Sequence, residues 1–175
     1  MSEIKIYGES LHAAAKEDGV ADIILSELKS ISELFNKNPE YVQILDSPQI
    51  ERSELMEILN QDFFGRVHKY TLNFLKILCE KRMVHYIGEC LGEYERLYNA
   101  DNNITVVNVT TAKPMSEEIA AKLITKLEKK TGGRIVLKRR VDESCIGGII
   151  IESDGMRLDS SLRSELSNLK QTLVN

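Results

Sequence analysis

The chain has 175 residues, with 27 acidic and 23 basic side chains, a net charge of −4, and 42% apolar residues. That is an ordinary globular balance, sufficient for one good core or two small ones, since domains commonly hold ~100–150 residues. It excludes a membrane-spanning chain, because no stretch approaches the ~20 apolar residues of a span. Cys79, Cys90 and Cys145 are odd in number and form no CxxC pair, which argues against a disulfide framework or a structural zinc site. The opening "MSEIKIYGES" lacks the basic start and apolar run of a leader, so an intracellular, water-soluble protein is expected.

The first hundred residues have helical periodicity almost throughout. Tyr7, Leu11, Ala14 and Asp18 share a face, with Ala13, Ala14 and Ala15 small enough for a close helix approach. Val20, Ile23, Ile24, Leu28, Ile31, Leu34 and Phe35 make a second stripe. Pro39 and Pro48, each after a polar residue, suit the starts of short helices. Leu55, Ile58 and Leu59 give a third stripe, and helices around Val67–Cys79 and Met83–Tyr98 complete a bundle of about six. The helix at Val67–Cys79 is apolar over a broad arc through Val67, Tyr70, Leu72, Phe74, Leu75, Ile77, Leu78 and Cys79. Such a helix is either central in its bundle or lines a groove that accepts a foreign helix.

At "NADNN", residues 99–103, the pattern changes, and residues 101–103 read as a linker between residues 1–100 and residues 104–175. Acidic and basic side chains number 17 and 11 up to residue 100, net −6, against 10 and 12 beyond it, net +2. "ITVVNVTT" is a strand, and Ser116 caps a helix with Glu117 and Glu118 in its first turn. Ile119, Leu123, Ile124 and Leu127 give that helix its apolar face, and Gly132 or Gly133 ends it. "RIVLKRRV" is a second strand, and the intervening helix allows parallel pairing. "IGGIIIE" and "MRLD" flank Asp154-Gly155 as a hairpin, and the run Ile149–Ile151 suits a central strand covered on both faces. A last helix carries Leu162, Leu166, Leu169 and Leu173. The expected fold class is α+β overall: a helical bundle, then a small α+β domain.

Catalytic patterns are scarce. His12, His68 and His85 make no triad motif with a Ser, Cys or Asp. His85 and Glu89 are four apart on a helix with Cys79 and Cys90 nearby, but surface His–Glu pairs and buried thiols are far commoner than metal sites. "KKTGGR" lacks the spacing of a phosphate loop and is better read as a helix stop. Asn103 and Asn108 each begin an N-x-T triplet, which carries no meaning without secretion. Lys122–Arg140 holds eight Lys or Arg against Glu128 alone. Nucleic-acid binding by an adaptor is one reading of it. The absence of an aromatic for base stacking favours instead a solvated face or an acidic protein partner.

The stretch "VLKRRVDESCIGGIIIESDGMRLDSSLRSEL" resembles the C-terminal signature of the ATP synthase delta subunit family, which includes the oligomycin-sensitivity-conferring protein. The shared positions are Asp142, Ile146, Gly147, Gly148, Gly155, Asp159, Ser161 and Leu166, and Tyr7 and Leu11 loosely match the family's N-terminal opening. Ser160 stands where the family usually has glycine, and Cys145 where an aliphatic residue is common. The resemblance implies a non-catalytic stator subunit of the proton-translocating synthase, with no cofactor, no metal and no nucleic acid. It implies a helical domain bound to the N-terminal helices of alpha subunits, with Tyr7, Leu11, Leu72, Leu75 and Cys79 as candidate contacts. It implies a C-terminal domain bound to the b-type peripheral-stalk subunits. The protein would then sit at the cytoplasmic face of the bacterial plasma membrane, associated only through the complex.

Overall fold

The computed structural model describes residues 3–142 and 149–153. The chain divides into two compact units, Met1–Tyr98 and Asn99–Asn175.

The first unit is helical: α1 (Glu3–Glu17), α2 (Ala21–Lys37), α3 (Pro39–Leu45), α4 (Arg52–Phe63), α5 (Lys69–Glu80) and α6 (Ile87–Asp101), with a 3-10 turn at Val84–Tyr86 before α6. Gly19, at φ 68°, turns the chain out of α1. Pro39 occupies the first turn of α3, where its missing N–H costs nothing. Pro48 does not start a helix. It sits in a turn, and α4 begins only at Arg52. Helix α6 starts later and ends later than the periodicity suggests, running past Tyr98 to Asp101, so only Asn102 and Asn103 separate it from the first strand.

The buried face of α1 is Gly8, Leu11, His12 and Ala15 rather than Tyr7, Leu11, Ala14 and Asp18. The reason lies at Gly8, where α1 and α6 nearly touch. A Cβ built there would stand 2.8 Å from the Cys90 carbonyl oxygen and 3.2 Å from Glu93 Cβ. Ala15 is fully enclosed, and His12 stacks edge-on against Tyr94 with ring centroids 5.2 Å apart. On α2, Ile24, Leu28, Ile31 and Phe35 enter the core while Ile23 and Leu34 remain exposed.

Helix α5 is the central element. Leu72, Phe74, Leu75, Leu78 and Cys79 are buried, and it packs on α1, α2 and α4. Burial of such side chains stabilises by about 1.5–3 kcal/mol each. Polar ties fix its ends. His68 Nδ1 accepts from the Tyr70 N–H as an N-cap. The Glu27 carboxylate on α2 accepts from His68 N (2.9 Å) and Thr71 Oγ1 (2.5 Å). Beyond α5, Asp46 accepts from the backbone N–H groups of Val84 and His85 at 2.9 and 3.1 Å, closing the 3-10 turn.

In the second unit, β1 (Ile104–Thr111) leads through α7 (Glu117–Thr131) to β2 (Arg134–Val141), and β3 (Ile149–Ser153) follows. The strand order is β2-β1-β3, with β2 parallel and β3 antiparallel to β1. Parallel pairing requires a crossover, and α7 supplies it. Ser116 Oγ accepts from Ile119 N at the start of α7, and Gly132, at φ 69°, ends it.

Side chains alternate across this sheet. Val107, Val109, Ile135 and Ile151 face inward and pack with Ala120, Leu123 and Leu127 of α7. Among the described strands β1 is central and β3 lies at an edge. Ile151 is buried, but its neighbour Ile150 is 47% exposed on the opposite face, so the expected two-sided cover of this run does not hold.

Candidate functional site

Among the described residues no group of three His, Cys, Asp or Glu side chains is placed to hold a metal ion. His85 binds Asp46 through Nδ1 at 2.6 Å, so its partner is the turn-closing carboxylate rather than Glu89. Both described thiols are buried. Burial raises the Cys79 thiol pKa, and burial, helped by Glu89, pushes Cys90 up to about 11. Neither has the electropositive, accessible setting of a reactive thiolate. No helix among the described residues is long and apolar enough to cross a membrane.

Of the residues singled out for partner contact, Leu11, Leu72, Leu75 and Cys79 are turned into the core, at 7%, 6%, 1% and 0% exposure. They pack within the bundle, where α5 uses its broad apolar arc to reach three neighbouring helices. Tyr7 is half-buried and donates to Glu3 Oε1 at 3.3 Å, and burial, then Glu3, raises its pKa. The apolar groups that α1 and α5 leave exposed are Ile6 and Ile77.

The α1–α6 contact also holds a buried carboxylate. Glu93 Oε1 accepts from Arg96 Nε (2.9 Å) and Nη2 (2.6 Å), and that pairing holds its pKa below the usual carboxylate range. A small open cleft of about 300 Å³ lies elsewhere in the unit, lined by Leu34, Asn38, Tyr41, Asp62, Phe63 and Arg66. Tyr41 donates to Asp62 Oδ2 across it at 2.6 Å.

In the second unit, the basic run Lys122–Arg140 is split between α7 and β2. Lys122 pairs with Glu118 at 2.6 Å and Arg139 with Glu117 at 2.7 Å, both pairs lying at the surface. Arg134, Lys138 and Arg140 have no ion-pair partner among the described residues and stand on the sheet face away from α7. They share it with Val136, half-buried Val106 and Ile150. Helical periodicity gives no sign of this face; the strand alternation of "RIVLKRRV" is the signal that could have found it. Asp142 ends β2, its N–H donating to the Thr111 carbonyl at 2.9 Å. Gly147, Gly148, Gly155, Asp159 and Ser161 lie outside the described residues, as do Cys145, the Asp154-Gly155 turn and the last leucine-rich segment.

Comparison with known proteins gives one consistent result. The sequence profile of the ATP synthase delta (OSCP) subunit family matches residues 4–173. A protein named ATP synthase subunit delta from Clostridium botulinum (strain Loch Maree) is 32% identical over 168 residues, covering 96% of this chain and 94% of its own. Its namesake from Clostridium perfringens (strain SM101) is 29% identical over the same span. A chain of the Toxoplasma gondii mitochondrial ATP synthase hexamer shares the fold, with a TM-score of 0.70 at 17% identity, covering 100% of this chain and 99% of that one.

Proposed function

The chain belongs to the ATP synthase delta (OSCP) subunit family, and from that premise we propose that it is a stator, a non-catalytic tether in the peripheral stalk of the proton-translocating synthase. The observation that carries this reading is the span of the family match, residues 4–173, which runs across both compact units. A tether needs two separately folded attachment points on one continuous chain, and the helical and α+β units supply them.

The first unit binds the N-terminal helices of alpha subunits on the catalytic head. Exposed Ile6 on α1 and Ile77 on α5, with half-buried Tyr7, offer the apolar area. Leu11, Leu72, Leu75 and Cys79 lie beneath and hold those helices in place. The second unit binds the ends of the b-type stalk subunits. Attachment to the cytoplasmic face of a bacterial plasma membrane is then indirect, through those partners. With both ends engaged, the head cannot turn with the rotor, and torque is delivered to ATP synthesis.

The test is reconstitution. Membranes stripped of this subunit should leak protons without making ATP. Adding the full chain should restore coupling, and alpha and b-type subunits should copurify with it. Restored coupling by residues 1–100 alone would refute the tether, because one attachment point resists no torque.

A further inference from the structure

We infer that the sheet face of the second unit directed away from α7 is a docking surface for an acidic, amphipathic helix of a partner protein. This deepens the tether reading; it rests on that reading for the existence of a partner and adds the face and its chemistry.

The alternation of the sheet assigns the residues. Ile104, Val106, Asn108 and Thr110 of β1 pair with Arg134, Val136, Lys138 and Arg140 of β2, and Thr110 also pairs with Ile150 of β3. No described element packs on this side, and Val136 and Ile150 are 39% and 47% exposed. The two faces treat their cations differently. Arg139, on the α7 side, is neutralised by Glu117, whereas Arg134, Lys138 and Arg140 have no ion-pair partner among the described residues. Glu152 is the only acidic side chain that the three strands place on the open face. The result is a face on which the Val106–Val136 pair and Ile150 stand on either side of the polar row Glu152–Asn108–Lys138, with three cations along β2 that have no ion-pair partner among the described residues.

Dimensions fit a helix. Three strands about 4.8 Å apart make a floor roughly 10 Å wide over Val107–Thr111, narrowing to two strands toward Arg134, and Arg134 to Arg140 spans about 20 Å at 3.3 Å per residue. An α-helix is about 10–12 Å across and covers 20 Å with about 13 residues. Along its length, carboxylates four residues apart recur about every 6 Å, close to the ~7 Å between side chains two apart on a strand. Apolar side chains on the adjoining stripe would then meet Val106, Val136 and Ile150. A nucleic acid would use the cations but leave Val106, Val136 and Ile150 unpaired, and no aromatic ring stands among the described residues of this unit for a base to stack on.

The experiment uses the full chain with isotope-labelled amides and methyl groups. The probe is a synthetic helix-forming peptide with one leucine stripe and glutamates elsewhere. Its controls are a lysine-for-glutamate version and a single-stranded RNA. The glutamate peptide should shift the resonances of Val106, Val136 and Ile150, and the lysine peptide should not. Lys138→Glu combined with Arg140→Glu should weaken binding by roughly tenfold or more, and added salt should weaken it further. Unchanged resonances of Val107 and Val109 would certify that the variant keeps its fold.

Shifts confined to other surfaces, or full affinity in the reversed-charge variant, would overturn the inference. So would failure of the peptide to bind, which would mean that residues 154–175 or nothing at all take this face. Tighter binding of RNA, insensitive to Val136→Ser, would overturn it in favour of a nucleic-acid site. A soluble b-type stalk domain separates the two proposals. If it binds wild type and reversed-charge variant equally, the tether stands and this surface falls. If it binds neither while the acidic peptide occupies the face, the surface stands and the tether falls.

Discussion

Gly8→Ala should destabilise the first unit, although the same change elsewhere on a helix normally helps. A glycine inside a helix costs about 0.5–1 kcal/mol relative to alanine, so propensity alone favours the substitution. Packing opposes it. The new Cβ would stand 2.8 Å from the Cys90 carbonyl oxygen, below the 3.0 Å under which real Cβ contacts essentially never fall, and 3.2 Å from Glu93 Cβ. The first obstacle is α6 backbone, so relief requires the two helices to part. Their separation disturbs the ring contact between His12 and Tyr94 and the weak bond from Cys90 Sγ to the Ile4 carbonyl at 3.7 Å. Overpacking of this kind costs about 1–3 kcal/mol, leaving a net loss on the order of 1 kcal/mol. In a unit of this size that lowers Tm by roughly 4–8 °C. Gly92 on α6 is the internal control, since a Cβ there meets nothing within 4 Å. Gly92→Ala should raise Tm by a few degrees when the helical circular-dichroism signal is followed on heating. If Gly8→Ala rises with it, the close approach is not a constraint and the argument fails.

Leu75→Ala, at a side chain 1% exposed, should cost about 2–5 kcal/mol in urea unfolding. Ile77→Ala on the exposed side of the same helix should cost under about 1 kcal/mol, and equal losses would contradict the central placement of α5. Because Arg96 depresses the pKa of Glu93 in the folded state, that pair stabilises above the unfolded carboxylate pKa of about 4.3. Its contribution should fade as pH falls from there through the lower folded value, so Glu93→Gln should flatten the acid limb of the stability curve; a limb parallel to wild type would refute the pairing. In a Cys145→Ser background, Cys79 and Cys90 should resist iodoacetamide at mildly alkaline pH until the chain is unfolded, as buried thiols with raised pKa values require. Rapid labelling of Cys90 in the native protein, read by mass spectrometry, would show that the α1–α6 contact opens readily.

Much of the fold was legible because its side chains are periodic. "ITVVNVTT" and "RIVLKRRV" alternate, and Val107, Val109 and Ile135 do enter the core. The cap at Ser116 and the stop at Gly132 follow from residues with few other uses at such positions. What was misread depends on what has no side chain or on what lies across the fold. The face of α1 is set by Gly8, which registers as no apolar residue at all. The arc of α5 left a central place and a groove both open, because periodicity counts apolar positions, not neighbours. Pro48 is compatible with a helix start but equally with a turn, and the chain uses it for the turn. Of the partner surface, the cations were visible as a cluster. Their division into charges spent on Glu117 and Glu118 and charges left facing outward needed the register of the sheet.

The entry to β1 bears on how the second unit takes a pull. Asn103, at φ 52°, directs the chain out of α6, and its carbonyl accepts from Arg134 N at 3.0 Å. Gly133 leaves that oxygen the room to sit there, since a Cβ would come within 2.5 Å of it. Tension arriving along the chain from the helical side therefore enters β1 at its first residue, where β2 already grips the backbone. The strand is flanked over Ile104–Thr111 by β2 and over Val107–Thr111 by β3. A force along its axis is resisted in shear by bonds on both edges at once, whereas a force across the sheet would peel them open one after another. The position of β1 between β2 and β3 thus makes the described sheet stiffer along β1 than across it.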